Sequence, residues 1–257
     1  MSTPTRTVVV TRPLAQALPL AERVHALGRE AVVFPLLEIR PLEDDRQLRA
    51  RLACLDDYAL VAFVSPNAID ASLPLVPQWP AKVAIGVVGE GSRRALERYQ
   101  LGAARVYCPS DPARSDSEAL VETIDLSAMQ GRRALIVRGE SGREFLAEAL
   151  RRAGMQVDHV AAYRRIAPRL DLAGQRQLLQ LLEQGADWIV TSSEAMRILG
   201  DLVCQAGGGE AIARLRQQHF IVPHARIAEA AQALGCTDLT LTHSGDESLL
   251  AALQSRP

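Results

Sequence analysis

Short apolar runs recur along the chain, each followed by a turn or capping residue, an amphipathic stretch and a glycine. Apolar runs without alternation suit strands covered on both faces. The amphipathic stretches between them suit crossover helices, so the pattern predicts βαβ units and a parallel sheet. The first unit runs from a strand at 7–10 through Thr11-Arg12-Pro13 to Leu20, Val24 and Leu27 at helical spacing, then Gly28 and a strand at 31–34. Gly28 falls where a helix C-cap requires positive φ. Strands of the same kind are predicted at 59–64, 83–88, 105–107, 134–137, 157–160, 188–190, 220–222 and 239–241, about ten in all.

An internal repeat organises them. The stretch from Val10-Thr11-Arg12-Pro13 through Gly28 to Phe34 matches that from Val137-Arg138-Gly139-Glu140 through Gly154 to Val160, with Arg12 opposite Arg138 at a constant offset. Ser65-Pro66-Asn67-Ala68 matches Ser192-Ser193-Glu194-Ala195, and Asp116-Ser117-Glu118-Ala119-Leu120 matches Asp246-Glu247-Ser248-Leu249-Leu250. Each half therefore carries five strands, and a repeat of this length predicts two similar doubly wound domains rather than a solenoid. At equivalent positions, 36–41 and 161–168 each end in proline after an extended stretch and read as interdomain linkers. Gly207-Gly208-Gly209 reads as a flexible surface loop.

Composition narrows the class. A chain of 257 residues, 48% hydrophobic, can bury one large core or two modest ones. A formal charge of −1 gives no field for nucleic acid or an anionic membrane surface, so an anionic ligand must be held locally. Cys54, Cys108, Cys204 and Cys236 are scattered, and with no CxxC or HExxH spacing they read as reduced, buried thiols and predict no metal. No h-region precedes the first strand and no apolar run spans a bilayer, so the expected compartment is the cytoplasm.

In open parallel sheets, ligands collect beyond the carboxyl ends of the strands, where helix N-termini present unpaired N–H groups. Those ends hold Thr11 and Arg12; Ser65 and Asn67; Gly89, Gly91 and Ser92; Arg138 and Gly139; Thr191, Ser192 and Ser193; and His224. Any one hydroxyl among them is explained by helix capping alone. Their concentration at the strand ends of both halves points to a cleft for several carboxylates or phosphates. Gly89-Glu90-Gly91 opens like a dinucleotide fingerprint but lacks the third glycine. His25 and His159 fall inside predicted elements. Tyr163 lies in the second linker, where its phenol either faces the cleft or packs with its hydroxyl in water.

Seven stretches, in order and spacing, resemble the uroporphyrinogen-III synthase family over nearly the whole chain. They are Val9-Val10-Thr11-Arg12-Pro13, Phe34-Pro35-Leu36-Leu37-Glu38-Ile39, Phe63-Val64-Ser65-Pro66-Asn67-Ala68, Ser115-Asp116-Ser117-Glu118-Ala119-Leu120, Val137-Arg138-Gly139-Glu140, Ala162-Tyr163-Arg164-Arg165 and Thr191-Ser192-Ser193-Glu194-Ala195. Gly89-Glu90-Gly91-Ser92 departs from the Gly-Pro-Gly-Thr frequent in the family. The resemblance implies an α/β fold of two flavodoxin-like domains joined by a two-stranded linker, the chain crossing twice. On this chain that places 1–36 with 168–257 in one domain and 42–162 in the other, with linkers at 37–41 and 163–167.

It further implies a lyase of tetrapyrrole biosynthesis, expected as a cytoplasmic monomer with no metal, organic cofactor or nucleic-acid partner. Its substrate, hydroxymethylbilane, carries eight carboxylates. The implied chemistry is loss of the terminal hydroxyl to an azafulvene, attack through the substituted carbon of the last ring to a spiro intermediate, and reclosure with that ring inverted. Tyr163 is then the expected proton donor, and the strand-end residues together with Ser117 are expected to bind the substrate. Two other classes share parts of the pattern. A binding module of the periplasmic type shares the hinged cleft, and a nucleotide-dependent Rossmann enzyme would rest on Gly89 and Gly91 alone.

Overall fold

The computed structural model describes residues 6–99, 101–111, 114 and 116–255; Ser115, quoted above, lies outside the described residues. The chain begins with β1 (Thr7–Val10), α1 (Leu14–Ala26), β2 (Ala31–Val33), β3 (Glu38–Arg40) and α2 (Arg46–Ala53). It continues through β4 (Leu60–Phe63), α3 (Pro66–Ser72), β5 (Ala84–Val87), α4 (Glu90–Leu96), β6 (Val106–Tyr107) and α5 (Ser117–Thr123). Then follow β7 (Arg133–Gly139), α6 (Phe145–Arg152), β8 (Gln156–Ile166), α7 (Leu172–Gln184) and β9 (Ala186–Ile189). The last elements are α8 (Ser193–Leu215), β10 (His219–Val222), α9 (Ala225–Ala233), β11 (Leu239–Leu241) and α10 (Asp246–Gln254).

Two compact units result, one from Met1–Glu38 with Ile166–Pro257 and the other from Ile39–Arg165. The first holds a parallel sheet in the order β11-β10-β9-β1-β2. Numbered by their sequence within the unit these strands stand 2-1-3-4-5, the flavodoxin-like order. The second holds β3-β8-β7-β4-β5-β6, with the pairings from β8 to β6 parallel. Counting β7 first and β8 second, then β4, β5 and β6, gives the same order with β3 added at the edge. The first sheet thus takes two strands from the first sequence repeat and three from the second, and the second sheet takes two from the second repeat and, with β3, four from the first.

Burial on both faces explains the apolar runs. Along β1, Val9 enters a core with α7, α8 and α9, while Val8 and Val10 enter one with α1 and α10. In the second unit, Val61 and Phe63 of β4 face α2, α3 and α4, and Leu60 and Ala62 face α5 and α6. Trp188 of β9 is fully buried, its ring edge-on to Phe34 at 6.5 Å between centroids. Gly28 and Gly154, matched by the repeat, end α1 and α6 with φ of 76° and 84°.

Four expectations change. The strands number eleven among the described residues, because β3 forms where a linker was expected; its one apolar residue, Ile39, stands between two charges. The second expected linker is also in part sheet, since Tyr163 to Ile166 complete β8. Gly207-Gly208-Gly209 lies at the surface, as expected, but forms no separate loop: two helical stretches of α8 meet there in a kink at Gly208 with φ 60° and ψ −148°. Of the cysteines only Cys236 is buried, its thiol pushed up to about 11 by burial, while Cys54 and Cys204 are exposed and Cys108 is intermediate.

Candidate active site

In both sheets the strand order reverses beside the strand that opens the repeat, between β1 and β9 in one and between β7 and β4 in the other. These switch points are where an open α/β sheet forms a crevice beyond its carboxyl ends.

In the second unit, Ser65 leaves β4 and caps α3, its Oγ accepting the Ala68 N–H at 3.1 Å, with Pro66 at the first helical position. The same Oγ lies 3.0 Å from the Tyr163 phenol oxygen. Tyr163 is no linker aromatic with its hydroxyl in water. It is 4% exposed, packs in the core under α2, α3 and α4, and pairs with Gly139 at the end of β7. Arg138 precedes that glycine and is tied to Glu144 at 2.7 Å and to the Arg143 carbonyl at 3.2 Å. Its guanidinium holds the Glu144 carboxyl below the usual range. Arg143 bonds Glu118 at 2.7 Å, and Arg165 reaches the Ser141 hydroxyl at 2.9 Å, so the β7–α6 loop is braced from several sides.

The remaining candidates of this unit line the neighbouring strand ends. Asn67 sits half-buried in the first turn of α3. Gly89 precedes α4, and Gly91 and Ser92 lie in its first turn, with Ser92 buried to 3%. Glu90 between them is held at about 2, chiefly by the hydrogen-bonded Arg93 guanidinium. Ser117 opens α5, which Asp116 caps by accepting the Ala119 N–H at 2.7 Å.

In the first unit, Thr11 follows β1 with its side chain buried and its hydroxyl spent on the Ile189 carbonyl at 2.8 Å. Arg12 pairs with Asp246 at 2.6 Å. Thr191 follows β9 half-buried, Ser192 caps α8 by accepting the Ala195 N–H at 3.0 Å, and Ser193 bonds the Arg226 carbonyl at 3.1 Å. His224 precedes α9, and its Nε2 stands 3.1 Å from the Ser244 hydroxyl. Sequence reasoning passed over Ser244 and Asp246, although the repeat had already matched Asp246 with Asp116.

It also missed a network at the opposite, amino ends of the strands. His219 lies between Asp187 at 2.8 Å and Thr240 at 2.9 Å, and Arg29 bonds the second Asp187 oxygen at 2.7 Å. His219 and Asp187 are only 1% and 4% exposed, at the strand ends opposite the candidate site.

Chemically, each strand-end group offers hydroxyls, an anchored arginine and helix N-termini, which suit anions, and that of the second unit has a phenol beside it. Among the described residues, no three His, Cys, Asp or Glu side chains converge as metal ligands. No helix among them is long and apolar enough to cross a membrane.

Comparison with known proteins places this geometry. The family model described as Uroporphyrinogen-III synthase HemD matches residues 19–251. The chain is similar to the uroporphyrinogen-III synthase of Escherichia coli K12, 30% identical over 96% of this chain and 99% of that one. It is likewise similar to that of Salmonella typhimurium, 32% identical over the same shares. In fold it resembles the uroporphyrinogen-III synthetase of Helicobacter pylori, with a TM-score of 0.59 at 14% identity over 98% of this chain and 100% of that one. A mutant uroporphyrinogen III synthase of Thermus thermophilus gives 0.56 at 16% identity over 97% and 96%. With both its sequence motifs and its paired sheets accounted for, the chain belongs to the uroporphyrinogen-III synthase family.

Proposed function

We infer that this chain performs the reaction of its family at the carboxyl ends of its strands, closing hydroxymethylbilane to uroporphyrinogen III with inversion of the last ring and loss of water. The observation that carries this reading is the grouping of hydroxyls, anchored arginines and helix N-termini at the strand ends of each sheet. Such donors suit a substrate with eight carboxylates, because many weak contacts grip a flexible polyanion without one strong site trapping it. Thr11 and Ser92, with buried side chains, and Ser193, whose hydroxyl hydrogen goes to the Arg226 carbonyl, shape their loops, whereas Arg12, Arg138 and the Ser117 hydroxyl are better placed to meet carboxylates.

The bilane closes unaided without inversion, so catalysis consists largely of holding one conformation. What remains is departure of the hydroxyl. Tyr163 is the donor in this reading: its phenol stands at the switch point of the second sheet, beside Ser65 and the braced β7–α6 loop. A monomer working in the cytoplasm completes the proposal, and the near-balanced charge of −1 supports the absence of a nucleic-acid partner. The test is a coupled assay in which hydroxymethylbilane is supplied to purified protein and the type III and type I products are separated. Type III should dominate; a product ratio equal to that of the unaided reaction would sink the proposal.

A further inference from the structure

We propose that Ser65 and Gly139 are positioning residues that seat the Tyr163 phenol and aim its proton at the leaving hydroxyl, an inference that rests on Tyr163 being the donor. Three contacts fix the ring. The Tyr163 carbonyl accepts the Glu140 N–H at 3.0 Å. The β7–β8 register slips between Arg138 and Gly139, so that Arg138 pairs with Ala161 but Gly139 with Tyr163. Such a bulge re-aims the side chain that follows it. The ring then lies against Gly139, where a Cβ would come within 3.2 Å of Cε2 and Cζ and 3.4 Å of the phenol oxygen. The bare glycine backbone is what leaves room for it.

Ser65 settles the direction of the proton. A serine hydroxyl has one hydrogen and two lone pairs. One lone pair receives the Ala68 N–H at 3.1 Å, which holds the side chain in its capping rotamer. The two oxygens stand 3.0 Å apart and either can donate; in the proposed arrangement the serine hydrogen goes to the phenol oxygen, which leaves the phenol's own hydrogen to point away from Ser65. In the step itself the C–O bond of the hydroxymethyl group breaks with both electrons going to oxygen. That oxygen takes the phenol proton and departs as water, while the pyrrole nitrogen stabilises the carbon left behind. The phenolate recovers its proton at reclosure, when the last ring loses the hydrogen of its newly bonded α-carbon and rearomatises. As negative charge grows on the phenol oxygen, the bond from Ser65 becomes charge-assisted, so it strengthens in the transition state.

The internal repeat separates this role from capping. In that repeat, Ser192 matches Ser65 and makes the same cap at 3.0 Å, while Leu37 matches Tyr163. Both units use the serine as a cap, and the unit with the phenol adds a second contact to it.

The test combines kinetics with a probe of the contact. Ser65→Ala should lower the single-turnover rate about tenfold with KM little changed, the worth of one hydrogen bond to a developing charge. Ser65→Thr, which keeps both cap and hydroxyl, should restore most of the rate, and Gly139→Ala should lower it. In a Tyr163→Phe background, Ser65→Ala should cost nothing further; an undiminished tenfold loss there overturns the proposal. Independently, tyrosine labelled with 13C at Cζ reports the contact, the Tyr163 signal being the one lost in Tyr163→Phe. That signal should move in Ser65→Ala and return in Ser65→Thr, and an unmoved signal also overturns it. If Tyr163→Phe turns over at the full rate, the donor reading fails and Ser65's catalytic role falls with it, while the carbon shift still registers the contact.

Discussion

Arg12 at the end of β1 and Asp246 in the first turn of α10 stand 234 positions apart in sequence, yet their Nη1 and Oδ1 atoms are 2.6 Å apart. The pair ties the β1–α1 turn to the last helix and leaves the Arg12 side chain 17% exposed at the strand end. A carboxylate is also favoured at a helix N-terminus. Asp246→Asn should therefore cost about 1 kcal/mol or less, as a half-exposed pair does. Arg12→Gln should raise KM roughly tenfold or more through loss of a charge-assisted bond to substrate, with kcat nearly kept. Steady-state kinetics and thermal melts separate the two, and an equal fall in kcat would give Arg12 a role in the bond-breaking step.

A second expectation concerns folding units. Residues 39–165 contain most of the six-stranded sheet with helices on both faces, whereas 1–126 divides both sheets. The fragment 39–165 expressed alone should unfold cooperatively in calorimetry, and 1–126 should aggregate. The reverse outcome would mean that the sequence repeats, rather than the sheets, are the folding units.

Acid should act through Asp187. Burial raises its carboxyl, but hydrogen bonds from His219 and Arg29 outweigh this and hold it below the usual range. A folded value below the unfolded one contributes stability that is full above pH about 4 and is lost as pH falls through the folded value. Asp187→Asn leaves Arg29 without its buried counter-charge and should cost about 3–5 kcal/mol at pH 7. In urea unfolding the gap between variant and parent should be widest at pH 7 and narrow at pH 3. A gap independent of pH would show that shape, and not charge, sets the cost.

Gly208 makes a purely mechanical prediction. Its φ of 60° and ψ of −148° belong to a region essentially restricted to glycine, so Gly208→Ala should cost about 1–3 kcal/mol and lower Tm by several degrees. Turnover should be unchanged, since the kink lies more than a dozen residues beyond the Ser192 cap. A variant as stable as its parent would mean that α8 straightens without penalty.

Much of this protein was legible in its residues. Val8-Val9-Val10 and its counterparts are apolar on both faces because helices cover both sides of a parallel strand, so an uninterrupted run marks each one wherever it pairs. Gly28 and Gly154 marked helix ends because the positive φ there is a local requirement. The strand-end hydroxyls and the family pattern followed from order along the chain. Glu38-Ile39-Arg40 was hidden because an edge strand needs little apolar surface, and the triple glycine concealed a helix because propensity yields to packing. His219 was missed because its burial depends on Asp187, Arg29 and Thr240, which only the sheet brings together. Equal repeats offer equivalent partners for pairing, so the crossing of the chain between the sheets was legible only through the family pattern. Tertiary structure alone decided that Tyr163 meets Ser65, because a bulge between β7 and β8 turns a side chain by geometry that no periodicity records.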